Sequence, residues 1–239
     1  FLNMEAFLVV LGGTVCATLI NYSLGQFINV LNVTKNVFFS KPIDVKYIIA
    51  SFVTLSQKAR REGLIALEHD LPTVKNDFLK RGIQMVIDGQ DRDSVINLMQ
   101  TEIIFIKERH KVGQEIFWAL GTYAPAFGII GTVLGMILML HSITDVEQVP
   151  QRMSIALTSA FFGLGAGYLI FLPIAGKLRR RSEEETFLLE MIVRGVELLQ
   201  TGTHPRLVEE NLNAYLDPKK RMLFKKQQQE EANKEAAKS

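Results

Sequence analysis

Phe117 to Leu140 reads FWALGTYAPAFGIIGTVLGMILML and holds no Asp, Glu, Lys, Arg or His. About 20 apolar residues suffice to cross a hydrocarbon core, so this run predicts a membrane-spanning helix. Working outward, Ile155 to Ala175 (IALTSAFFGLGAGYLIFLPIA) is a second uncharged run. Ala6 to Tyr22 (AFLVVLGGTVCATLINY) is a third, close to the lower length limit for a span. Charged residues make up 22% of the chain and lie almost entirely outside these runs. A water-soluble core would instead spread its apolar residues at helical or strand periods. The pattern predicts an all-α, polytopic membrane protein with three spans in this chain.

Lysine and arginine beside the spans set the direction. Lys107, Arg109 and Lys111 precede the Phe117 run, and Lys177, Arg179, Arg180 and Arg181 follow Ala175. The connection His141 to Met153 has only Arg152 against Asp145 and Glu147. The two spans therefore form a hairpin with its loop outside, and the first span enters from outside. The chain starts at Phe1 and shows no signal peptide that would carry it out. The expectation is a four-span product whose first span is missing here. The predicted organisation is a span within 1–26, a cytoplasmic helical domain over 27–115, a span over 116–141, a periplasmic loop over 142–153 and a span over 154–176. Cytoplasmic helices over 177–218 and a charged tail over 219–239, read as disordered, complete it.

In the cytoplasmic part, Asp44 to Arg61 carries an apolar stripe (Val45, Ile48, Ile49, Phe52, Leu55) at helical spacing, and Gly63 is a break. A helix is predicted over Pro72–Asp88, stopped at Asp88-Gly89. Another is predicted over Asp93–Arg109, capped by Ser94, with Val95, Leu98, Ile103 and Ile104 on its apolar face and running straight into the span. Arg180–Leu199 is amphipathic, Thr201–His204 is a turn, and Pro205 starts a further helix.

The net charge of +2 is too small to point to nucleic acid, and the basic residues beside the spans point to a lipid surface. Cys16, the one cysteine, supports no disulfide or metal cluster and is expected as a small buried apolar side chain. The four histidines are scattered, and no nucleophile–base set or phosphate loop appears, which argues against an enzyme. No cofactor is expected.

An ion route through hydrocarbon needs an ionisable group at mid-depth, and the two strong spans have none. Either the protein conducts no ion or a partner supplies the carboxylate. Hydroxyls at Thr122, Thr132, Thr158 and Ser159 favour the second reading, since they can bond a backbone carbonyl or a partner carboxylate. Pro125 and Pro173 are predicted to kink their helices. Gly131/Gly135 and Gly163/Gly167 form GxxxG pairs, which predict close helix contacts within the subunit or between copies.

ERHKVG (Glu108–Gly113) followed by APAFGIIGTVLG (Ala124–Gly135) resembles the third span of the MotA/PomA family of flagellar stator proteins and its leading helix. LIFLPIAGKL (Leu169–Leu178) resembles the end of the fourth span. LVVLGGTVCATLINYSLGQF (Leu8–Phe27), ARREGLIALE (Ala59–Glu68), RGIQMVIDGQD (Arg81–Asp91) and HPRLVEENLNAYL (His204–Leu216) match in family order. The resemblance implies a multi-pass protein of the bacterial inner membrane. It implies five copies around two MotB/PomB-like subunits, which bring the ion-carrying aspartate. It also implies translocation of H+ or Na+ and torque on the rotor protein FliG. Arg60, Arg61 and Glu68 match the family's rotor-facing charges. Thr132, Thr158, Ser159 and Ala160 match the region facing the ion and the partner. Ala160 stands where the family usually has threonine, whereas Thr132 resembles the sodium-type members, so the ion stays open between H+ and Na+. A TolQ/ExbB-like subunit energising envelope transport is the alternative, and a passive membrane scaffold is a third reading.

Overall fold

The computed structural model describes residues 3–30, 45–141, 143–145 and 147–216. The tail over 219–239 lies outside them. The described residues fold as helices joined by turns, with no strand among them. They divide into two compact units, Phe1–Lys41 with Ile106–Glu184 and Pro42–Phe105 with Glu185–Ser239.

The first unit holds the three stretches long and apolar enough to cross a membrane. Helix α1 (Met4–Asn21) starts at Asn3, whose side chain accepts from the Glu5 amide at 3.1 Å. Its buried stripe is Ala6, Val10, Thr14 and Thr18, one residue every four. Both threonines bond back to the carbonyl four residues earlier, Thr14 to Val10 at 2.6 Å and Thr18 to Thr14 at 2.8 Å. A hydroxyl spent this way enters an apolar interface without an orphan donor. Cys16 lies off this stripe and is exposed on the chain, contrary to the buried position expected of it. A short helix, α2 (24–30), follows.

Helix α5 (Arg92–His141) is unbroken, as the continuous pattern predicts. It passes through Pro125 without interruption. Helix α6 (Val149–Gln200) contains a π-helical stretch, Gly165–Phe171, that ends two residues before Pro173. The wider turn thus lies just ahead of the residue that lacks an amide hydrogen.

The two helices meet through glycine. A Cβ at Gly163 would lie 2.7 Å from both the Ala124 carbonyl oxygen and Gly128 Cα. One at Gly135 would lie 2.7 Å from Ala156 Cβ, and one at Gly131 would lie 2.6 Å from Ser159 Cβ. At Gly167 it would lie 2.8 Å from the Gly121 oxygen and from Pro125 Cδ. The GxxxG residues are thus spent inside this subunit. Pro125 leaves the Gly121 carbonyl without its helical donor, and that oxygen faces Gly167. Helix α1 joins at Gly13, where a Cβ would overlap the Phe127 ring, and through Phe7 and Phe162, 6.0 Å apart and edge to face. Asn21 donates to the Tyr123 hydroxyl at 2.6 Å. Ile116, Phe117, Leu120, Ala175 and Leu178 form an apolar cluster, joined by Phe27 and Val30.

The second unit is built on helix α3 (Val45–Glu62). Its buried face is Ile48, Ile49, Phe52 and Leu55, four of the five predicted stripe residues. Gly63 at φ 88° ends it, and a 3-10 segment, Leu64–Thr73, follows. Helix α4 runs over Asp77–Ile87 and not from Pro72. Pro72 belongs to the 3-10 segment, and Asn76 accepts from the Leu79 amide at 2.9 Å, which fixes the true start. Helix α5 is capped by Asp91, which accepts from the amides of Asp93 and Ser94, so Ser94 is not the cap. Its buried residues here are Val95, Met99 and Ile103, while Leu98 and Ile104 are exposed, contrary to expectation. In α6 the expected apolar stripe is Phe187, Leu188, Met191, Ile192, Val196 and Leu199; the last five are buried, while Phe187 is exposed, contrary to expectation. A glycine, Gly195, makes room for the Phe52 ring. The turn closes at Gly202, φ 65°, and α7 (Pro205–Asn213) begins at the predicted proline.

Glu197 of α6 is held by Arg92 and by Arg194, the latter at 2.5 Å. Burial works to raise its carboxyl, but the two arginine hydrogen bonds outweigh it and hold the group below the ordinary glutamate value of 4.5. A depressed carboxylate adds stability above its unfolded value and loses it as pH falls through the folded one. The thermal stability of the purified protein is therefore expected to fall as pH drops below about 4.5, and Glu197→Gln should flatten that decline. For the hairpin, Gly163→Ala is expected to cost about 1–3 kcal/mol. Gly176→Ala, with open space around the added atom, should cost nothing. Thermal denaturation in detergent measures both.

Candidate functional site

The residues predicted for function fall into two groups, one in each unit. In the membrane unit, Thr132 is half-buried, and its hydroxyl reaches the Gly128 carbonyl at 2.9 Å and the Ala156 carbonyl of α6 at 3.2 Å. It is therefore a bridge between α5 and α6. Ser159 is fully buried against Gly131 and donates to the Ile155 carbonyl at 2.8 Å. Thr158 is buried and Ala160 half-buried. The four residues share one short stretch of helix pair, and the hydroxyl of Ser159 is already satisfied within the subunit. Pro125 is half-buried and Pro173 exposed. Apart from these groups, the surface of α5 is apolar and exposed over Ile129, Ile130, Val133, Leu134 and Ile137. No acidic or basic side chain lies within either span.

In the second unit, Arg60 and Arg61 close the last turn of α3, where a cation faces the negative end of the helix. Both are exposed, and neither makes an ion pair with another described residue. Lys58, one turn earlier, is by contrast bound to Asp70 at 2.9 Å. The burial of Ile48, Phe52 and Leu55 fixes which face of α3 is left outward. Packing of α3 on α7 brings Arg60 and Arg61 to a groove of about 570 Å³, whose other wall is His204, Arg206 and Glu209. Val53, Gln57 and Pro205 complete the lining. Glu68 is exposed on the 3-10 segment and does not line this groove. Thus Arg60 and Arg61, adjacent in sequence, share one groove with Arg206, an arginine that sequence reasoning missed, while Glu68, the third residue expected to face the rotor, lies elsewhere. The signal available was Pro205, which marks a helix start, but nothing in the chain ties residue 206 to residue 61.

His204 caps α7: its Nδ1 accepts from the Arg206 amide at 3.2 Å. A cap of this kind satisfies one of the orphan amides of the first turn. Among the described residues, no group of three His, Cys, Asp or Glu comes together to hold a metal.

Residues 70–191 match the model of the MotA/TolQ/ExbB proton channel family. The chain is similar to the uncharacterized protein YtxD of Bacillus subtilis, 35% identical over 89% of this chain and 78% of that one. It is also similar to the chemotaxis protein PomA of Vibrio alginolyticus, 33% identical over 93% and 87%. The solved flagellar MotAB stator complex from Bacillus subtilis matches with a TM-score of 0.86 and 33% identity, over 93% of this chain and 88% of that one. On uncharged glycine-packed spans, the order of the helices and these likenesses, the chain belongs to the MotA/TolQ/ExbB proton channel family.

Proposed function

We propose that this chain is a stator subunit of the bacterial flagellar motor, which turns transmembrane ion flow into torque on the rotor. The observation that carries the reading is a pair of uncharged spans, packed through glycine and bridged by Thr132, within a chain that aligns over nearly its whole length with PomA. Such helices can flank an ion route but cannot titrate. The titrating acid then belongs to a single-span partner of the MotB/PomB kind, whose aspartate meets the exposed apolar face of α5 and the Thr132–Ala160 region. Several copies, five in our reading, surround that partner in the inner membrane, with the His141–Met153 loop outside. The translocated ion is H+ or Na+.

Torque must leave through the second unit. Exposed arginines at the end of α3, which pair with no other described residue, suit an acidic surface, and we assign Arg60 and Arg61, together with Glu68, to contact with the rotor protein FliG. Attraction between such exposed charges fades beyond about 8 Å at physiological salt, so the contact is short-range and renewed at each step.

In cells that rely on this chain for motility, Arg60→Glu with Arg61→Glu is expected to abolish swimming while ion flux through the assembled complex persists. Normal swimming would overturn the assignment. Thr132→Ala removes the interhelical bond, worth about 0.5–1.5 kcal/mol. It is expected to reduce swimming in sodium medium, with Thr132→Ser retaining it. Swimming indifferent to both sodium and this hydroxyl assigns the current to protons.

A further inference from the structure

Two helices, α5 and α6, run from the first unit into the second without leaving the helical state. Within the spans they are fastened to each other by glycine contacts and by Thr132. At their other ends, in the second unit, they are fastened again. We propose that the tie of Glu197 to Arg92 and Arg194 is the transmission joint of the subunit. It makes α5 and α6 deliver span movement to the second unit as one piece, so it is needed for torque and not for ion passage. The inference rests on the stator reading and names the residues that turn flux into force.

Arg92 is the first residue of α5, and Glu197 stands in the last turn of α6. Their ion pair therefore joins two helix ends that lie 105 residues apart in the chain. Arg194 adds a hydrogen bond to Glu197 at 2.5 Å from within α6, which holds the carboxylate in place for Arg92. Gln200 donates to the Gln90 carbonyl at 2.7 Å, a second link between the same two ends. The Glu197 side chain is 14% exposed, so this pair is less weakened by salt than pairs on the open surface. Its carboxyl lies below the ordinary glutamate value and stays charged near neutral pH.

Two further helices sit on the same joint. At Gly82 of α4 a Cβ would lie 2.8 Å from Met99 of α5 and 2.8 Å from Val196 of α6, so α4 rests on both helices at once. Val196 adjoins Glu197. Gly195, on the other side of Val196, takes the Phe52 ring of α3. Helix α3 ends in Arg60 and Arg61, so a fixed end of α6 also fixes the origin of the charges assigned to the rotor. Close-packed interiors transmit strain, and coupling travels through contiguous packed groups that have discrete arrangements. With the tie broken, α5 and α6 slip past one another and span movement is lost before it reaches α3. Arg92 and Glu197 are positioning residues: they act through α6 on α3.

The test follows single motors in cells in which the full chain, with its partner, drives rotation, and reads the torque added as each unit engages. Arg92→Glu sets two carboxylates against each other. It is expected to cut the torque per unit by about threefold or more, with membrane level and ion flux per assembled complex unchanged. Arg92→Lys keeps the charge and should retain most of the torque. Exchange of the two charges, Arg92→Glu with Glu197→Arg, should restore it. The size of the increment is the deciding readout, because a subunit that is merely less stable adds fewer increments of normal size. Normal increments in normal number with Arg92→Glu overturn the joint and leave the stator reading intact. Fewer increments of full size, or ion flux that falls in step with torque, also overturn it, since the pair then serves stability or conduction alone. An unaltered chain that passes ions with its partner yet never drives rotation overturns the stator reading itself.

Discussion

A helix crossing hydrocarbon must satisfy its own backbone and carry no unpaired charge, and this subunit obeys that rule in both strong spans. The consequences reach every other feature. With no driving force from apolar burial between helices in lipid, α5 and α6 hold together by close approach, and glycine permits it. The Gly163–Gly128 contact brings backbone to backbone. Buried hydroxyls of the spans are spent on carbonyls, Thr14 and Thr18 of α1 and Ser159 of α6 within their own helices and Thr132 of α5 across to Ala156. Proline is accommodated by the same means: the carbonyl freed by Pro125 faces a glycine, and Pro173 follows a π-turn. The spans are thus a finished packing unit with an apolar outer face and no titrating group of their own.

The second unit follows ordinary rules of aqueous packing. Phe52 seats against Gly195, α3 packs on α7, and Glu197 is held between two arginines. Arg60, Arg61 and Arg206 line one groove where α3 ends and α7 begins. Arginines that pair with no other described residue are the natural handles for a partner outside the chain.

Much of this was legible in the sequence. Uncharged runs gave the spans because hydrocarbon selects on composition alone. The helical stripes of α3 and α6 matched the buried faces apart from Val45, half-buried, and Phe187, exposed, and Gly89 and Gly202 marked turns that need positive φ. Helix starts were harder. Pro72 looked like an N-terminal proline, yet Asn76 makes the cap. Ser94 looked like a cap, yet Asp91 reaches the same amides. Several polar side chains can compete for one helix end, and only three-dimensional placement chooses. Leu98 and Ile104 had the right spacing to be buried but fall beside the stripe of Val95, Met99 and Ile103. The groove was hidden for a different reason: Arg61 and Arg206 are brought together by packing of α3 on α7, and no local pattern encodes that. In the spans, sequence placed Ser159 toward the partner, whereas its hydroxyl faces the subunit's own helices.

The central claim is that these helices flank an ion route whose titrating acid comes from another polypeptide. Ion uptake into sealed vesicles, driven by an imposed gradient, tests it most directly. The purified chain alone should conduct no faster than empty vesicles. The chain together with an aspartate-bearing single-span partner should conduct, and changing that aspartate to asparagine should stop it. Conduction by this chain alone would contradict the account.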